Sequence, residues 1–244
     1  MIKFFRKIRY DLMEKNKTGK YMKYAIGEIL LVVFGILIAL SINNWNDHKK
    51  QQQKEIVYLT ELKKGLESDL AGEFIPSIKI YKRRLESHNK LYAFYENTET
   101  FSEDSLTKYF RSCFAGEWDF VFNTAAFENI KSTGIDIISN DSIRSKISTL
   151  YSYSYPNIRE VNQNFIRYHD LQISPIIYDN INLRNNPLTS GELAFLKNSF
   201  QIRNRLGRLY RRTSFLHLRL LMPVQENVES LINDIDLELT RLKE

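Results

Sequence analysis

AIGEILLVVFGILIALSI, residues 25–42, is interrupted only by Glu28 and Ser41, in a chain of which 26% is Asp, Glu, Lys or Arg. As an α-helix rising about 1.5 Å per residue it extends about 27 Å, close to the hydrocarbon thickness of a bilayer. No other window of the 244 residues approaches it. The sequence therefore predicts one membrane-spanning helix over residues 24–45, and the flanks agree. Tyr21 and Tyr24 mark one water interface and Trp45 the other, while Asn43, Asn44 and Asn46 close the apolar run with side chains that lipid does not tolerate.

Working outward, the 23 residues ahead of the span carry Lys3, Arg6, Lys7, Arg9, Lys15, Lys17, Lys20 and Lys23 against Asp11 and Glu14. The segment just after it is nearly balanced. The positive-inside bias places the N-terminus in the cytoplasm and the bulk of the chain outside it. Ile2, Phe4, Phe5, Ile8, Leu12 and Met13 recur at near-helical spacing among these bases. Residues 1–23 are thus expected to form an amphipathic arm held by anionic lipids, the plainer alternative being a disordered basic tail. A secretory signal peptide is the rival, since Ala39 and Ser41 offer small residues to a peptidase. The long basic region, Glu28 and the polar boundary at Asn43 favour a retained helix.

Glu28 is the one ionisable group in the span and sits four residues from Tyr24, within reach of the inner interface, so an interfacial or topological role is expected. Gly27, Gly35 and Ala39 fall on one helical face and are candidates for close packing against another transmembrane helix.

Beyond the span the charge is nearly neutral, so the excess of 35 Lys and Arg over 29 Asp and Glu is mostly an N-terminal property and does not indicate a nucleic-acid binder. One cysteine excludes an internal disulfide. Nine glycines and five prolines are few for an all-β protein, and the fold class expected is mainly α. Residues 46–72, with Ile56, Leu59, Leu62, Leu66 and Leu70, predict an amphipathic stalk. Residues 73–244 predict an extracytoplasmic helical-bundle domain. Its helices are expected on either side of Pro76, from a Thr100–Glu103 capping box, from Thr124 to Ser132 closed by Gly134, from Asn140 or Asp141 to Pro156, on to Pro175, from a Thr189–Glu192 capping box, then to Pro223 and beyond. Ile135, Ile137 and Ile138 suggest a brief strand.

YAIGEILLVVFGILIALSINNWN (24–46), with Gly27, Glu28, Asn43, Asn44 and Trp45, and FENIKSTGIDIISND (127–141) together resemble a domain-of-unknown-function family of single-pass membrane proteins from Bacteroidetes-type Gram-negative bacteria. The resemblance covers nearly the whole chain. It implies inner-membrane residence and a periplasmic helical domain, and no catalytic residues.

Chemistry-bearing constellations are sparse. His48, His88, His169 and His217 make no HxxxH or ExxH pair, so no metal site is expected. Cys113 between Phe110 and Phe114 reads as a buried, inert thiol, no nucleophile motif or phosphate loop occurs, and neither an enzyme nor a cofactor is expected. The best functional candidate is the acid-free stretch from Leu193 to Gln225, in which Arg205, Arg208, Arg212 and Arg219 fall on one helix face beside an apolar stripe. That face suits an anionic partner, against the plainer expectation that such arginines cover the stripe and pair with neighbouring carboxylates. Two functions follow: a membrane-tethered interaction or scaffold protein binding itself or an envelope protein, or a ligand-sensing module acting through a cytoplasmic partner.

Overall fold

The computed structural model describes Tyr10 and residues 18–244, and the arm expected over residues 1–23 lies largely outside them. The chain divides into two compact units, residues 1–54 and 55–244. Among the described residues the fold is mainly α, without a β-strand.

The first unit is built on helix α1 (Thr18–Asp69), whose 52 residues run on into the second unit. It includes one stretch long and apolar enough to cross a membrane, and none of that stretch is buried. Every large side chain from Leu30 to Leu40 is exposed, Leu31 at 64%.

The second unit holds the core. Leu59, Leu62 and Leu66, on the last turns of α1, are wholly buried. The segment expected as a stalk therefore divides: from Glu55 onward it belongs to the compact unit. Each such leucine stabilises the fold by about 1.5–3 kcal/mol through removal from water. Helices α2 (Ile75–Tyr95) and α3 (Glu103–Phe114) pack chiefly on each other, and α4 (Ala125–Thr133) leads into a single 3₁₀ turn at Ile135–Ile137. Then come α5 (Asp141–Thr149), α6 (Tyr155–Gln172), α7 (Ser174–Asn180), α8 (Ser190–Asn198), α9 (Phe200–Ser214) and α10 (Met222–Lys243). Helix α9 packs on α2 and α8, and α10 on α5.

Three prolines behave otherwise than the sequence suggests. Pro76, Pro156 and Pro223 were expected to separate helices, yet each stands inside a continuous helical path, just after a π-helical segment at Leu70–Phe74, Leu150–Ser154 and Phe215–Leu221. A proline lacks the N–H and its ring meets the carbonyl four residues back. Here that residue, Gly72, Ser152 or Arg219, always lies within the π segment, where the wider turn bonds to the fifth residue back: Ile75 N–H reaches Leu70, Tyr155 reaches Leu150 and Met222 reaches His217. Pro175 conforms to expectation, α6 ending at Gln172 and α7 opening beyond it.

Two further expectations are corrected. The strand at residues 135–138 is the 3₁₀ turn, because Gly134, at φ 108°, turns the chain back and Ile138 is wholly buried at the turn's end. The cap of α3 is Ser102, accepting from Ser105 N–H at 3.3 Å, and not Thr100. The other caps stand as read: Asn140 accepts from Ser142 and Ile143, and Thr189 with Glu192 completes a capping box.

Candidate anionic-partner face

Ser199 opens α9 by accepting from Ile202 N–H at 3.3 Å. Ile202, Leu206, Leu209 and Thr213 then form its buried stripe, which leaves the flanking positions to arginine. Gly207 faces α2, where a Cβ would stand in ordinary contact, 3.4 Å from the Tyr92 hydroxyl.

On the side facing α6, Arg205 Nε donates to the Gln172 carbonyl at 2.7 Å. Arg208 lies 5.2 Å over the Tyr168 ring, Arg212 lies 4.4 Å over the same ring and 5.8 Å over Phe165, and Arg212 Nη1 donates to the Asn164 carbonyl at 3.3 Å. These cation–π and carbonyl contacts fix the guanidinium groups without neutralising them. Among the described residues, no carboxylate is within ion-pair distance of Arg203, Arg205, Arg208, Arg211 or Arg212. Burial, and next the neighbouring Arg208 charge, hold Arg212 below the ordinary arginine pKa. An anion bound there would reverse the second of these effects.

Arg208, Arg211 and Arg212, with Val161, Asn164, Phe165 and Phe215, line an open groove of about 440 Å³. Around the helix, Arg203, Arg208 and Arg211 line a second of about 580 Å³ beside Tyr92, Tyr95 and Glu96. Arg211 was not singled out from the sequence and joins both. Arg219 lines neither groove: it lies on the π segment at Phe215–Leu221, whose smaller rotation per residue breaks the α-helical phase on which its placement rested.

Among the described residues, no heavy atom outside the helix lies within 4 Å of where a Cβ would stand on Gly27 or Gly35, and Ala39 is exposed. Glu28 is half-buried on α1, Trp45 is exposed with Lys49 Nζ 4.4 Å over its ring, and the Tyr24 side chain lies outside the described residues.

Sequence reasoning missed a deeply buried polar cluster. Arg84 Nη1 donates to Glu117 Oε1 with both side chains at most 2% exposed, and Tyr81 donates to Glu117 Oε2 at 2.8 Å while stacking on Trp118. The partners are 33 residues apart, and no local pattern announces them. Cys113 is buried nearby, its thiol 3.9 Å from the Arg84 carbonyl and its pKa raised by burial. His88 is wholly buried, with both ring nitrogens unpartnered among the described residues, and burial lowers its pKa to about 3. Among the described residues no group of three or more His, Cys, Asp and Glu is placed to hold a metal ion.

A family model named DUF6090, described as a family of unknown function, matches residues 28–172, more than half of the chain. The match ends at the last residue of α6 and does not reach α9. No curated protein and no solved structure matches.

Proposed function

The chain belongs to DUF6090, and on that premise we propose that it is a membrane-tethered interaction protein whose unit at residues 55–244 engages an anionic envelope partner through α9. The observation that carries this is a row of arginines held over aromatic rings with, among the described residues, no carboxylate within ion-pair distance of them. Buried or stacked arginine is normally matched by an acid from the same fold. Here the matching charge is left to a partner.

The apolar stretch of α1 and the charge asymmetry around it support a single crossing of the bacterial inner membrane, with the basic N-terminus cytoplasmic and the helical bundle periplasmic. Nothing in the reading requires catalysis or a cofactor. The partner is an acidic surface of another envelope protein, or of a second copy of this chain.

The test is a photo-crosslinking amino acid at exposed Asn204, beside Arg203 in the second groove, in the full chain in its own membrane. A discrete adduct that weakens with added salt and disappears when Arg208→Glu and Arg212→Glu are introduced is expected. An adduct indifferent to both would dismiss the arginine face.

A further inference from the structure

A separate half-open cavity of about 140 Å³ is lined by α3, α7, α8 and the end of α6. Phe110, Phe114, Ile177 and Leu196 are among the apolar residues of its wall, and His169 lines it too. The His169 ring is held in place, Nε2 donating to the Phe114 carbonyl at 3.0 Å and Nδ1 lying 3.2 Å from the Ser174 hydroxyl. Among the described residues, Arg111 is the only Lys, Arg, Asp or Glu in the wall. Its Nη2 donates to the carbonyls of Leu183, at 3.0 Å, and Asn185, leaving Nε buried without an acceptor among the described residues. Among the described residues no carboxylate pairs with it.

An apolar cavity of about 150 Å³ accommodates a single benzene ring. A cation anchored in such a wall by carbonyls alone, with an unused donor, selects an acceptor that carries negative charge. We propose that this cavity is a binding site for a small apolar carboxylate, the size of one aromatic ring or a short branched chain, whose carboxylate accepts from Arg111. This goes beyond the docking function of α9 and does not depend on it.

The experiment uses the full chain in nanodiscs of zwitterionic lipid, with 4-fluorobenzoate followed by ¹⁹F NMR. Line broadening by the protein is expected, reversed by benzoate at least about tenfold more effectively than by the neutral isostere benzamide. Arg111→Met, which keeps the aliphatic stem, should abolish that preference, and Ile177→Phe should weaken both competitors by narrowing the cavity, with far-UV circular dichroism confirming that each variant folds. Arg208→Glu with Arg212→Glu should leave binding unchanged. Equal competition by benzamide in the wild type, benzoate preference surviving Arg111→Met, or loss of binding on reversing the α9 charges would each overturn the proposal, the last by placing the anion on α9.

Discussion

Helix α1 carries two kinds of hydrophobic sequence. From Leu30 to Leu40 apolar residues occupy every face and all the large ones are exposed; from Leu59 to Leu66 they occupy one stripe and are wholly buried. The amount of apolar surface does not distinguish the two regions as well as its arrangement does. A stripe can be covered by neighbouring helices, whereas a helix apolar all round needs an apolar medium. The two units also treat polar groups differently: residues 25–42 admit only Glu28 and Ser41, whereas the second unit buries Arg84 with Glu117, Asp69 with Tyr155, and His88 against the Tyr210 ring.

The contrast is broken most forcefully by charging the first region. Val33→Arg with Leu37→Arg should cost about 6 kcal/mol of membrane insertion, seen as release of the chain by alkaline carbonate, while unfolding of the second unit is unchanged. In the second region, Arg84→Met leaves Glu117 as an unpaired buried carboxylate and should cost about 3–5 kcal/mol in denaturant unfolding followed by near-ultraviolet circular dichroism. Arg84→Met with Glu117→Leu should recover much of that loss. Leu62→Ala should destabilise the same transition by about 3 kcal/mol, against almost nothing for Val33→Ala.

The smallest effect is on pH dependence, because two buried groups oppose each other. His88, lowered to about 3 by burial, binds a proton more readily when unfolded, so its contribution is complete above about pH 6.5 and is lost as pH falls toward 3. Asp69, raised to about 6 chiefly by burial while accepting from Asn123 N–H and Tyr155, binds its proton more readily when folded. Its contribution is complete below about pH 4 and is lost as pH rises through 6. Each removal should unmask the other: His88→Gln leaves stability rising from pH 6.5 to 4, and Asp69→Asn leaves it falling steeply over the same range. Parallel pH profiles for both variants and the wild type would refute these assignments.

Much of this was legible in residue spacing. The apolar stretch, the caps at Asn140 and Thr189, the stop at Gly134 and the buried stripes follow from local patterns that need no knowledge of tertiary neighbours. The π segments were not legible, since a proline reads as a break and the compensation lies in the turn before it. One consequence was to place Arg219 on a face it does not share. Arg205, Arg208 and Arg212 were readable as a basic face, but their lack of acidic partners was not, because the candidates for pairing come from distant helices. Arg111 and the Arg84–Glu117 pair gave no sequence signal at all.

Residence of residues 25–42 in lipid, with residues 55–244 beyond it, is tested most directly by a membrane-impermeant maleimide on intact cells, with Glu226→Cys, Lys20→Cys and Val33→Cys introduced singly into a Cys113→Ser chain. Labelling of Glu226→Cys alone is the expected result. Labelling of Lys20→Cys or Val33→Cys, or none at Glu226→Cys until the cells are opened, would contradict it.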